Sequence, residues 1–245
     1  ASRQVRPAPT LLGVQDLGPG ARYEILREIG RGGGGTVYLA RDGRLGRRVA
    51  LKILHPHVGS EAGAREHLFC EARIAGALTD PGIITVYDLD EQLNMVVMEY
   101  CAGGTLTSTL PLEPARALGV LGRLASILDL VHRAGVVHLD LKPSNLLLRR
   151  KGDLSSLVLT DFGVAHIGRG GQGGDGLPGG SLIYMSPEQR RGEEVGPAAD
   201  LYPCGVMLLE MLLGHPPLDS AQALRGVNLL ELEACWRDAG RGDVP

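Results

Sequence analysis

Apolar and polar positions alternate along the N-terminal part of the chain and recur at helical spacing along the rest. Tyr23 to Ile29 alternate well enough for a strand, a glycine turn follows at Gly30 to Gly35, and Val37-Tyr38-Leu39-Ala40 makes a second strand. Arg41 to Arg47 reads as a hairpin turn into a third strand, Val49 to Leu54. Leu68, Ala72, Ala75 and Leu78 predict a helix over 64–78, closed by Asp80-Pro81-Gly82. Ile83 to Asp88 and Met95 to Tyr100 are two further strand candidates. After Gly103-Gly104 the period turns helical, with Leu118, Leu121, Leu124, Leu128 and Val131 on one face of 115–133. Leu201 to Leu213 is apolar nearly all round, which predicts a helix buried in the middle of its lobe. Pro203 is tolerable there only within the first turn.

Strands with one helix, followed by mostly helices, predict an α+β fold. The lobe boundary falls near Tyr100 to Gly104, giving an N-lobe over about 21–100 and a C-lobe over about 101–245. Residues 1–20 are rich in Pro and Gly and read as an extended leader. No internal repeat is present.

Composition narrows the partners. The 245 residues carry a formal charge of only −3 with the basic residues scattered, so nucleic acid is not expected as a partner. Cys70, Cys101, Cys204 and Cys235 lie far apart and form no C-x-x-C pair, which argues against a zinc knot or disulfide framework and fits a reducing compartment. No apolar run reaches the length of about 18 residues that a membrane span needs, so no membrane contact is expected from this segment. Ala1 to Pro9 lacks a signal-peptide core. The histidines show no ligand spacing; His55 and His57 merely flank Pro56.

Chemistry-bearing residues follow in a fixed order. Gly30-x-Gly32-x-x-Gly35-x-Val37 sits between two strands, where missing Cβ atoms let the backbone approach phosphate oxygens, although a plain tight hairpin would look the same. No Walker A lysine follows and no helix, which excludes the P-loop and dinucleotide motifs. Lys52 shares a strand face with Ala50, opposite Val49, Leu51 and Ile53. Pointing into a cleft, it needs a counter-charge, and Glu71 is the first candidate, Glu66 the second; on an exposed edge it would need none. Asp140, Asn145 and Asp161 offer the oxygen donors that hard divalent cations prefer. Each alone could be a turn former or a strand end, but their joint order is not a coincidence.

At this point the chain resembles the protein-kinase superfamily, and its bacterial Ser/Thr branch in particular. The elements are the glycine loop, Val49-Ala50-Leu51-Lys52, Glu71, Met98-Glu99-Tyr100, His138-x-Asp140-x-Lys142-x-x-Asn145, Asp161-Phe162-Gly163, Ser186-Pro187-Glu188 and Asp200. The resemblance implies a bilobal kinase fold that uses ATP with Mg²⁺ or Mn²⁺. It also implies that the glycine loop covers the phosphates and that Lys52, held by Glu71, binds them. Asn145 and Asp161 are the implied metal ligands, Asp140 the group that orients or deprotonates the acceptor hydroxyl, and Lys142 the offset for charge on the moving phosphoryl group. Adenine is expected between Val37 and Ala50 on one side and Leu147 on the other, with Met98 behind it and backbone groups of Glu99 and Cys101 at its edge. Lys142 favours Ser or Thr over Tyr in the protein substrate. Glu188 is expected to pair with a late arginine, Arg241. The resemblance implies a cytoplasmic protein, or the cytoplasmic kinase domain of a larger one.

Three departures qualify the resemblance. Leu139 stands where an arginine commonly waits for a phosphate on the following segment, which removes the self-repelling cation cluster. Val164 to Gly180 holds no Ser, Thr or Tyr but eight glycines, which predicts either a loop mobile until a partner pins it or a plain flexible spacer, with Ser181 in the acceptor-loop position. Few residues follow His215-Pro216-Pro217, so the C-lobe is expected to be shortened, or covered by a regulatory partner or by self-association. These departures motivate a rival reading as a pseudokinase, a nucleotide-binding scaffold with little transfer. An aminoglycoside-type small-molecule phosphotransferase shares a His-x-Asp loop but usually lacks Lys142, Phe162-Gly163 and the Ser-Pro-Glu stretch.

Overall fold

The computed structural model describes residues 22–32, 35–55, 62–162 and 182–217. The fold is α+β, and its contacts divide the chain between Tyr100 and Cys101, with Leu78–Ile84 joining the second unit.

The first unit is a five-stranded antiparallel sheet with one helix. Its strands are β1 (Tyr23–Arg31), β2 (Gly35–Asp42), β3 (Arg48–Leu54), β4 (Val86–Asp90) and β5 (Met95–Glu99), in the order β1-β2-β3-β5-β4. Alternation sorts the side chains as the pleat requires. Tyr23, Tyr38, Ala40, Val49, Leu51, Met95 and Val97 form one buried cluster. The alternate positions stand in a second row, Val37 opposite Lys52, Leu39 opposite Ala50, Ala50 opposite Met98 and Lys52 opposite Val96. At the β2–β3 turn the Asp42 carboxylate accepts from the backbone N–H of Arg44 at 2.9 Å and of Leu45 at 3.2 Å. Helix α1 (Ala62–Ala77) buries Leu68, Phe69, Ala72 and Ala75, while Leu78 lies past its end and is half-buried.

The strand expected from Ile83 begins only at Val86. Ile83 instead bridges Leu159 in the second unit. The Ile84 N–H donates to the Leu159 carbonyl at 3.0 Å, and the Leu159 N–H to the Gly82 carbonyl at 2.8 Å. The chain turns just before this, with the Gly82 N–H donating to Asp80 Oδ1 at 2.6 Å and the Ile83 N–H to the Asp80 carbonyl at 3.0 Å, and the Ile127 side chain fills the open side of Gly82.

The second unit is mainly helical. Helix α2 (Pro114–Arg133) opens with proline, whose missing N–H costs nothing at that position. Its buried stripe is Ala117, Val120, Leu124, Ile127, Leu128 and Val131. Leu118 is not on it: its side chain is 59 % exposed. The expected face is therefore rotated, because Ala117 and Val120, three apart and continuing to Leu124, complete the helical stripe and leave Leu118 outside it. Strands β6 (Leu146–Leu148) and β7 (Leu157–Leu159) form a small antiparallel hairpin. Helix α3 (Pro187–Arg190) is a single turn, with the buried Ser186 hydroxyl accepting from the Gln189 N–H at 3.3 Å. Helix α4 (Leu201–Leu213) holds Pro203 in its first turn and ends at Gly214, whose φ of +87° is left-handed. It buries Cys204, Val206, Met207, Glu210, Met211 and Leu212, but Leu201 is exposed at its start, so burial is not complete all round.

Candidate active site

In the first unit the glycine turn joins β1 to β2, with the Gly32 N–H donating to the Gly35 carbonyl at 2.9 Å. A Cβ on Gly35 would stand 2.5 Å from the Ile53 carbonyl oxygen, so only glycine fits that crossing. Gly30 lies opposite Val37 across the same pair of strands. Lys52 reaches from β3 to α1, where its Nζ donates to Glu71 Oε2 at 2.9 Å, both side chains being about one-fifth exposed. Of the two candidate counter-charges, Glu71 is the one that meets it. Met98 is buried, and the Glu99 N–H donates to the Thr85 carbonyl at 2.9 Å.

In the second unit two side-chain donors converge on one acid. Lys142 Nζ donates to Asp140 Oδ2 at 2.7 Å. Asn145 Nδ2 donates to the same oxygen at 3.0 Å and to the Asp140 carbonyl at 2.8 Å. The five-residue spacing thus closes a loop around the carboxylate. Pro143–Asn145 forms a 3₁₀ turn, and the following strand β6 carries Leu147. The Thr160 N–H donates to the Asn145 carbonyl at 3.0 Å, which brings Asp161 next to this loop. Asp161 has a φ of +53°, a left-handed backbone that asparagine and aspartate tolerate better than most side chains. Cys101 is buried at the start of this unit.

A network that residue types alone did not reveal holds the loop. His138 is fully buried; its Nδ1 accepts from the Asp140 N–H at 3.3 Å, so Nε2 carries the proton and donates to the Thr160 carbonyl at 3.2 Å. Burial pushes the His138 pKa down, which agrees with a neutral ring. Asp200, with no exposed surface, accepts at Oδ2 from the His138 N–H (2.8 Å) and His132 Nε2 (2.8 Å), and at Oδ1 from the Leu139 N–H (2.9 Å). Gln189 Nε2 donates to the Leu139 carbonyl at 2.9 Å. Leu139 itself has a φ of +60°. Asp200 was legible as a motif member, but its partner His132, the His138 partner Thr160 and the Leu139 partner Gln189 were not, because nothing local in sequence links positions dozens of residues apart.

Two oxygen donors, the Asp161 carboxylate and the Asn145 amide oxygen, lie in this half. Both Nδ2 bonds of Asn145 go to Asp140. Among the described residues no group of three or more His, Cys, Asp or Glu could hold a metal. Gly163, the 164–180 segment, Ser181 and Arg241 lie outside the described residues, as does the C-terminal stretch expected to be shortened or covered.

A sheet unit carrying a glycine hairpin and a lysine–glutamate pair, with a helical unit carrying the acid-centred loop, defines a protein kinase domain. The chain belongs to that family: the protein kinase domain model matches residues 23–236. It is 37% identical to the serine/threonine-protein kinase PrkC of Bacillus subtilis, covering 87% of this chain and 33% of PrkC. It is 39% identical to the serine/threonine-protein kinase PknD of Mycobacterium tuberculosis, covering 85% of this chain and 32% of PknD. The chain thus spans about a third of these relatives' length. The solved kinase domain of Mycobacterium tuberculosis PknI superposes with a TM-score of 0.66 at 27% identity, over 91% of this chain and 85% of that one. Among the described residues no helix is long and apolar enough to cross a membrane.

Proposed function

We propose that the chain, over residues 21–245, is the catalytic domain of an ATP-dependent Ser/Thr protein kinase. The observation that carries this reading is the convergence of Lys142 and Asn145 on Asp140 Oδ2. Lys52, steadied by Glu71, supplies the cation for the α- and β-phosphates, and the glycine hairpin supplies backbone N–H groups. Val37, Ala50, Met98 and Leu147 offer apolar surface to adenine. The Glu99 N–H is committed to Thr85, so the adenine edge is assigned to the Glu99 carbonyl and to the Cys101 backbone.

Magnesium, when bound through Asn145 and Asp161, offsets charge on the phosphate oxygens. Asp140 accepts the proton of a substrate Ser or Thr hydroxyl as its oxygen bonds to the γ-phosphorus, the bond to the β–γ bridging oxygen breaks, and ADP leaves. Lys142, ion-paired with Asp140, offsets negative charge on the phosphoryl group in transfer. No phosphate on the 164–180 segment is required, since that segment has no hydroxyl and Leu139 brings no cation to receive one. Control falls to a regulatory partner or to self-association. An ATP-consuming domain of this kind acts in the cytoplasm. No observation favours the scaffold reading, because the lysine, acid and amide that transfer needs are all in place.

The test is transfer from radiolabelled Mg-ATP to protein acceptors, wild type beside Asp140→Asn. Loss of a positioned base costs about 10²–10⁴-fold. Equal incorporation by the two proteins, or none by either, would sink the proposal.

A further inference from the structure

The catalytic loop is gripped through its backbone, and one of the grips comes from a side chain that the phosphoryl-transfer reading leaves without a task. Leu139 has a φ of +60°, a region that costs an L-residue roughly 1–2 kcal/mol and persists only where the surroundings over-determine it. Two contacts on its flanking peptides do so. Its N–H donates to Asp200 Oδ1 at 2.9 Å, and its carbonyl accepts from Gln189 Nε2 at 2.9 Å. The carbonyl belongs to the peptide whose N–H is that of Asp140, and that N–H donates to His138 Nδ1 at 3.3 Å. This peptide plane is therefore held at both ends, by Gln189 on its oxygen and by His138 on its nitrogen. Gln189 is itself placed by the turn of α3, where its own N–H is capped by the buried Ser186 hydroxyl.

We propose that Gln189 is a positioning residue for the transfer reaction: its side-chain amide clamps the Leu139–Asp140 peptide and thereby aims the Asp140 carboxylate. The clamp also ties the chain immediately after the 164–180 segment to the catalytic loop without any charged group. A change in the turn that carries Gln189 is transmitted to Asp140 through one hydrogen bond. The consequence for turnover rests on the kinase reading; the clamp itself does not.

Two variants test it. Gln189→Met keeps the length of the side chain and removes the donor. Gln189→Glu keeps the shape and donates to the Leu139 carbonyl only when its carboxyl is protonated. With Mg-ATP and casein as acceptor, Gln189→Met should lower kcat by about threefold to tenfold, the worth of one lost hydrogen bond, with KM for ATP little changed. Gln189→Glu should be similarly slow at about pH 8, and its rate relative to wild type should recover only as pH falls toward about 4.3, the ordinary Glu pKa, where about half of the carboxyl carries its proton. A merely structural role would not produce that recovery. Backbone hydrogen exchange over 138–142 should be faster in both variants at about pH 8. Wild-type turnover in Gln189→Met, or a Gln189→Glu to wild-type ratio flat across pH, overturns the positioning role. Unchanged exchange over 138–142 overturns the clamp. Exchange does not depend on catalysis, so faster exchange in the variants of a wild type that transfers nothing would refute the kinase reading while upholding the clamp.

Discussion

Asp200→Asn is the sharpest test of how the loop is held. The native carboxylate is wholly buried and uses both oxygens as acceptors, Oδ2 for the His138 N–H and His132 Nε2, and Oδ1 for the Leu139 N–H. Asparagine has one oxygen. Its best placement keeps that oxygen on the two-donor side and turns the NH₂ toward the Leu139 N–H, donor against donor. A buried donor left unpaired costs about 1–3 kcal/mol, and exchanging charge-assisted for neutral bonds to His138 and His132 adds about 1 kcal/mol. The sum is about 2–4 kcal/mol, which for a domain of this size lowers the melting temperature by roughly 5–15 °C. A second effect follows from the backbone. Without the Oδ1 contact nothing on the N–H side offsets the strain at Leu139, and relaxation to negative φ would swing the peptide that leads into Asp140. Turnover measured well below the melting point should therefore fall as well. Thermal melting and steady-state kinetics on the same preparation separate the two effects. A variant within about 0.5 kcal/mol of wild type, the range of a neutral surface change, and with unaltered kcat would refute the idea that this carboxylate anchors the loop.

Four further outcomes are expected. Leu118→Gln should leave stability within about 0.5 kcal/mol of wild type, while Leu124→Ala costs about 2–5 kcal/mol; denaturant melts that reverse this order would refute the assignment of the buried α2 face. His138, with its pKa lowered by burial, is neutral when folded and protonates on unfolding in acid, so it makes stability fall below about pH 6.5 by up to about 1.4 kcal/mol per pH unit; NMR that finds its ring titrating at the ordinary value would contradict this. Gly103→Ala should destabilise by about 1–3 kcal/mol, because its Cβ would stand 2.5 Å from the Leu148 carbonyl oxygen, and an unchanged melting curve would show that the backbone has room. At Leu139 the β-branched Leu139→Val should destabilise more than Leu139→Asn, since left-handed φ penalises branching most; the opposite order in thermal melts would mean that side-chain packing, not backbone, decides this position.

The sheet was legible because alternation is a local property. Val49, Leu51 and Ile53 fall with Tyr38 and Ala40 around one core, and Lys52 stands with Ala50 on the other row. The exceptions arise where distant residues decide. Ile83 has the look of a strand residue, but its pairing partner is Leu159, far along the chain. Leu118 has the same side chain as Leu124, and only the smaller Ala117 and Val120 settle which stripe the helix buries. In the candidate site, residue types and order were readable, whereas their support was not. Lys52 could be given two partners from sequence, and only the placement of α1 against the sheet separates Glu71 from Glu66. The Asp200 network needs His132 at the end of α2, the loop at 138–140 and the start of α4 to meet, and none of these spacings follows a local period.

Leu139 shows why the two levels differ. As a residue type it marks the loss of a cation that a phosphate would neutralise. As a backbone it is a left-handed residue held at its N–H by Asp200 and at its carbonyl by Gln189. An arginine at this position could be held by the same two groups, because neither touches the side chain's chemistry. The geometry of the loop and its charge are thus separable. A loop whose shape is set by a buried carboxylate and an amide needs no phosphate to organise it, and removing the cation costs nothing in shape. What a cation here would add is charge, not shape, so Leu139→Arg should leave hydrogen exchange over 138–142 unchanged, and faster exchange would refute this separation.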